Sequence, residues 1–162
     1  MASSATPLAS VAVGAAVRKG APKPDISTPE ALKRTLLAAE SIAYPDPAVG
    51  AAAGVTFEQA LKKLGIAAQM EPKIKRARGG NTAMQMAAKG EVEIGFTFLS
   101  EMQEPGLDIV GPLPRETAPP TNLVGFVSAH AKNPAAAKAL FAYVASPEAA
   151  PIYRQNGMEP AH

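Results

Sequence analysis

The chain has 162 residues, 47% of them hydrophobic and 19% charged, which suits one globular domain with a real core. Sixteen Lys and Arg against fourteen Asp and Glu leave a net charge of +2. Without interleaved aromatics, so mild a balance excludes a nucleic-acid binder. Cysteine is absent, which excludes disulfides, thiol catalysis and thiolate metal sites and leaves the compartment open.

In chain order, Val11 to Val17 reads as a strand of small and β-branched residues. The preceding stretch from Met1 is apolar but has no basic start, since the first positive residue is Arg18, so it is not read as a secretory signal. On that reading the chain either stays in the cytoplasm or has had a leader removed. Arg18 to Asp25 is a turn-rich connector, and Ser27-Thr28-Pro29-Glu30 opens a helix running to about Ala39. Ser41 to Tyr44 is the next strand, stopped by Pro45.

That strand opens the most informative stretch, Ser41 to Gly54, in which a turn of small residues follows the strand and leads into a helix that ends near Gly65. The first N–H groups of a helix lack internal partners and carry the positive end of its dipole. A strand that delivers such an end to the mouth of a sheet builds a small-anion site. The competing reading is an ordinary strand-to-helix turn whose small residues serve packing. Lys73 to Arg78 is predicted to be an edge strand, and Gly79-Gly80-Asn81-Thr82 to open a helix running to Lys89. Val92 to Phe98 is a central strand, Leu107 to Pro112 another, Pro114 to Pro120 a loop and Asn122 to Ser128 the last strand. Helices from Pro134 to Ala145 and from Ser146 to Gly157 close the chain. Strands alternating with helices make this an α/β domain with a largely parallel sheet.

Five segments, in order, carry a resemblance: Tyr44-Pro-Asp-Pro47 with its small-residue sequel, Gly79-Gly80, Lys89 to Gly95, Leu107 to Pro114, and Asn133 to Ala150 with Gly157. Together they resemble the molybdate-binding-like branch of bacterial periplasmic substrate-binding proteins, from about Val11 to Pro160. The resemblance implies a two-lobed protein that binds a small anion between lobes for delivery to an ABC-type transporter, and a periplasmic location. It implies a three-layer α/β lobe with a mostly parallel five-stranded sheet, plus C-terminal helices of an incomplete first lobe. The domains expected on this basis are 1–23 with the first hinge strand, 24–120 as the second lobe, and 121–162 as the return strand and helices of the first lobe. On this resemblance the portion that opens family members is expected to have no counterpart before residue 11, and the helix from Pro134 is expected to expose Leu140 and Phe141 to a permease or to a second copy of the chain.

Carried over to this sequence, the resemblance implies ligand contacts from the turn at Ala48, Val49, Gly50 and Ala51, from the helix start at Gly80 and Asn81, and from Thr97 and Phe98. Phe98 stands where molybdate binders place a tyrosine, and it has no hydroxyl to donate to an oxyanion. Thr97 has one but alternates to the other face of the strand. No cofactor, metal, nucleic acid or membrane insertion is expected.

The charged residues leave two further readings open. Lys73, Lys75, Arg76 and Arg78 either draw an anion toward Gly79-Gly80 or protect an exposed strand edge. Asp46 either caps its turn between two prolines or serves as a base. The leading function is therefore a substrate-binding protein, or a retained lobe of one, for a small oxyanion or organic carboxylate. The alternatives are an isomerase of a small tricarboxylate such as aconitate, with Asp46, Tyr44 or Thr97 as candidate base, and a lobe active only as an oligomer or with a partner. His130 is read as a loop histidine, and His162 stands at the last position.

Overall fold

A computed structural model describes residues 5–161. Met1 to Ser4, where the apolar N-terminal stretch begins, and His162 lie outside the described residues. The chain forms two units: residues 12–119 make one, and the flanking segments up to Val11 and from Pro120 make the other.

The larger unit is a five-stranded sheet with helices on both faces. Its strands are β2 (Val13–Arg18), β3 (Ile42–Pro45), β4 (Ile74–Ala77), β5 (Ile94–Phe98) and β6 (Leu107–Pro112), in the spatial order β4-β3-β5-β2-β6. Strand β3 pairs in parallel with both β4 and β5, whereas β2 pairs antiparallel with β5 and β6. The sheet is thus mixed, with β2 running against the other four strands. The successive parallel strands β3, β4 and β5 are joined through helical segments, as parallel pairing requires.

Helix α1 (Pro29–Ala38) starts as its sequence dictates, with Thr28 accepting the N–H of Ala31 and Pro29 in the first turn. Leu32 and Leu36 of α1 pack with Phe57 and Leu61 of α2 (Ala52–Lys63) on one face of the sheet. The short helix α3 (Ala67–Met70), absent from the sequence reading, adds Met70 to the same core. There Phe57 stacks on Phe96 with ring centroids 4.3 Å apart and leans on Tyr44 at 4.8 Å. On the other face lies α4 (Gly80–Ala88), which contributes Ala83, Met84 and Ala87.

The period of two in β5 sorts its residues between these cores. Ile94 and Phe96 face α1 and α2. Gly95 faces α4, where an added Cβ would come within 2.7 Å of Met84 Cε. Thr97 lies on the α4 side as well, as its alternation requires, against Gly80.

The smaller unit is a three-stranded antiparallel sheet of β1 (Thr6–Val11), β7 (Thr121–Gly125) and β8 (Glu159–Pro160), with β1 in the middle. The single strand read over Val11–Val17 is therefore two strands divided at Ala12, because β1 and β2 pair in different sheets. The unit's helices are α5 (Pro134–Val144), capped by Asn133, and α6 (Ala150–Gln155). Phe141 is half-buried and lies over Gly125, where a Cβ could not be accommodated. Leu140 and Tyr143 are 60% and 53% exposed, and α5 has no fully buried residue.

No helix among the described residues is long and apolar enough to cross a membrane.

Candidate functional site

Because β3, β4 and β5 run in parallel, their carboxyl ends share one edge of the sheet. Three connections leave from that edge: the turn into α2, the Gly79-Gly80 start of α4, and the segment Thr97-Phe98 that leads into a 3-10 turn at Leu99–Glu101. In open α/β sheets the crevice outside the carboxyl ends of the strands is where ligands are held.

The first connection is built in two steps. Pro47–Val49 forms a 3-10 turn capped by Asp46, whose Oδ1 accepts the N–H of Ala48 at 2.9 Å. The N–H of Val49 goes to Asp46 O, and that of Gly50 to Pro47 O. Gly50 closes the turn at φ 83°, a conformation that favours glycine. All three expected donors at Ala48, Val49 and Gly50 are therefore spent inside the turn.

The uncommitted donors lie a few residues on. The first bond of α2 is Val55 N–H to Ala51 O, and Ala51 carries no side-chain cap. Ala51, Ala52, Ala53 and Gly54 thus present N–H groups with no partner among the described residues. Ala51 is half-buried and Ala52 exposed.

The second connection is simpler. Helix α4 has no side-chain cap, and its first internal bond is Ala83 N–H to Gly79 O. Gly80 is buried, while Asn81 and Thr82 are exposed in the first turn. This end too carries unspent donors and the positive end of a dipole.

The third connection holds a residue that the sequence reading did not single out. Thr97 is fully buried, and its hydroxyl donates to Oε2 of Glu101 one turn later. The same carboxylate oxygen lies against Gly80, and a Cβ there would be 2.8 Å from Glu101 Cδ. A glycine opening a helix opposite a Thr-x-x-x-Glu segment was the available signal, legible only once those two segments are neighbours. Phe98 is half-buried and packs on the core shared with α2.

The residues considered as bases are each engaged. Asp46 caps its turn, Thr97 holds Glu101, and the Tyr44 hydroxyl donates to Glu58 Oε1 at 3.0 Å. Tyr44 is fully buried, so desolvation, reinforced by the Glu58 carboxylate, pushes its phenol well above the ordinary tyrosine range.

The basic cluster is mostly structural. Lys73 donates to the carbonyls of Leu37 and Ala39 at the end of α1, where a cation suits the dipole. Lys75 reaches the carbonyl of Glu91. Arg76 forks onto Glu71 at 2.8 and 3.0 Å and also meets Glu58 at 3.3 Å. The hydrogen bonds from Arg76 lower the Glu71 carboxyl, and those accepted by Glu71 raise the guanidinium. Arg78 alone of the four makes no side-chain hydrogen bond or ion pair among the described residues, and it is exposed beside Gly79. His130 lies exposed in a loop, its N–H bonded to Ser128 Oγ. Among the described residues, no three His, Asp or Glu side chains gather as a metal cluster would.

Comparison with known proteins bears on the fold and the family. The chain is 38% identical over 152 residues to a Pseudomonas protein named aconitate isomerase, covering 91% of this chain and 55% of that one. It therefore spans about half the length of that relative. It superposes on a substrate-binding domain assigned to a molybdenum ABC transporter of Clostridium difficile with a TM-score of 0.79. That match has 17% identity and covers 98% of this chain and 67% of the other. The periplasmic molybdate-binding protein of Azotobacter vinelandii matches with a TM-score of 0.73 and 20% identity, over 96% of this chain and 67% of its own. These two establish the fold. A family model for bacterial extracellular solute-binding proteins matches residues 1–159, and the chain belongs to that family.

Proposed function

We propose that this chain binds a small oxyanion or organic carboxylate, as a substrate-binding protein of ABC-type transport or as the retained lobe of one. The observation that carries this reading is the pair of uncapped helix starts, α2 and α4, at the carboxyl edge of parallel strands. A ligand held there takes N–H groups from Ala51 onward and from Gly80 and Asn81. Ala48, Val49 and Gly50 form the turn that presents the first set. Thr97 acts through Glu101, and Phe98 supplies an apolar wall. A transporter permease, or a second copy meeting the exposed residues of α5, is the protein partner on this reading.

Thermal unfolding with molybdate, tungstate, sulfate, phosphate, citrate and both aconitates tests it. A ligand at 100 times its dissociation constant adds about 2.7 kcal/mol to stability. A selective rise in the midpoint is expected, and a flat panel with a cooperative melt would remove the proposal for this chain by itself.

A second reading, favoured by the aconitate isomerase relative, is isomerisation of a small tricarboxylate. The reaction moves a proton between carbons of the substrate, so deuterium from heavy water enters a substrate that turns over. Proton NMR of trans-aconitate with the chain in deuterated buffer reads this directly, and absence of exchange at saturation eliminates the reading.

A further inference from the structure

One of the protein's own carboxylates lies beside the start of α4 without capping its N–H groups. Glu101 is half-buried, its Oε2 accepts the hydroxyl of the fully buried Thr97, and it lies against Gly80 in the first turn of the helix. Only glycine leaves room at position 80 for that oxygen and for Thr97 Oγ1. The arrangement places a fixed negative charge where a bare helix start would otherwise attract one. Arg78, on the same connection as Gly80, is exposed and among the described residues is not paired with Glu101.

From these contacts the geometry points to Glu101 as a specificity-determining residue: it disfavours fully ionised tetrahedral oxyanions and selects organic acids that turn a hydroxyl or C–H toward it. This rests on the small-anion reading above and narrows its ligand class. The physical reason is Coulombic. A tetrahedral dianion carries charge on every side, so one of its charged oxygens must face the carboxylate at short range in a partly dry site. An organic acid can direct its carboxylates to the N–H groups of α2 and present an uncharged part to Glu101. Thr97 acts as the positioning residue, since its hydroxyl is the hydrogen bond that holds the carboxylate at Gly80.

The test is calorimetric titration of the purified chain and of E101Q with four probes: sulfate, molybdate, citrate and trans-aconitate. E101A is titrated alongside as a variant that cannot place an amide at the helix start, and circular dichroism confirms folding of both. The wild-type chain is expected to prefer citrate or trans-aconitate over both oxyanions. E101Q and E101A are expected to tighten sulfate or molybdate by about tenfold or more relative to the carboxylates. Carboxylate binding with an unchanged oxyanion-to-carboxylate ratio in both folded variants overturns the role of Glu101 and leaves the small-anion reading standing. If neither the wild type nor the variants bind any probe, both fall. If only the variants bind an oxyanion, the role of Glu101 is upheld.

Discussion

Gly54 in the first turn of α2 lies directly against the carbonyl oxygen of Pro45, leaving no space for a side chain between helix and strand. An added Cβ would also stand 3.1 Å from the nitrogen of Pro47. Both obstacles are backbone, so neither can rotate aside. Gly54→Ala is expected to cost about 1–3 kcal/mol, read as a lowered urea midpoint at unchanged slope. It should also weaken any anion bound at the α2 start, because the helix end must tilt away from β3. A neutral effect on both would show that the turn is looser than this contact implies.

The stacked core gives a second test. Phe57 is fully buried between Tyr44 and Phe96. Phe57→Ala removes the ring common to both aromatic contacts and should cost about 3–5 kcal/mol. Exposed Val49 should by contrast change stability by less than about 0.5 kcal/mol when made alanine. Chemical denaturation of the two variants side by side measures the difference.

Alkaline pH should expose the raised phenol of Tyr44. In the unfolded chain a tyrosine loses its proton near pH 10, while burial and Glu58 hold the folded Tyr44 protonated to higher pH. Above pH 10 the folded state therefore binds more protons than the unfolded state, and stability falls as pH rises. Ultraviolet titration should show Tyr44 ionising only with unfolding. Tyr44→Phe should flatten that alkaline decline, at a cost near neutrality of about 0.5–1.5 kcal/mol for the lost hydrogen bond.

At the acid end the sign reverses. Arg76 depresses the carboxyl of Glu71, so the stabilisation from that pair is present above the ordinary carboxylate range and is lost as pH falls through the lowered value. Arg76→Gln should return Glu71 to ordinary behaviour and make the acid limb shallower. The carboxyl resonance of Glu71, followed by NMR through pH 2–6, reports the shift, and identical curves for the two proteins would rule out the coupling.

Helix α5 supplies a prediction about assembly. Leu140 and Tyr143 are exposed on a helix whose one charged residue is Lys138. If this face meets a second copy, mass by light scattering should rise with concentration, and Leu140→Glu should suppress the rise without lowering the melting temperature. A constant monomer mass would remove the self-association reading.

Much of this was legible in the residues themselves. The cap at Thr28-Pro29, the stop at Pro45, the turn-capping role open to Asp46 and the alternation of Thr97 all follow from local chemistry, which acts within a few residues and so is written in the chain. Motif order was enough to point to the family. What the tertiary structure decided was pairing. Whether β2 joins its neighbours parallel or antiparallel, and whether Val11–Val17 is one strand or two, depends on partners dozens of residues away. The fate of the basic cluster was decided in the same way, by the carbonyls and carboxylates that folding brings beside Lys73, Lys75 and Arg76. So was the meeting of Glu101 with Gly80, since a hydrogen bond or a charge contact is set by distance in space, and spacing along the chain does not reveal it.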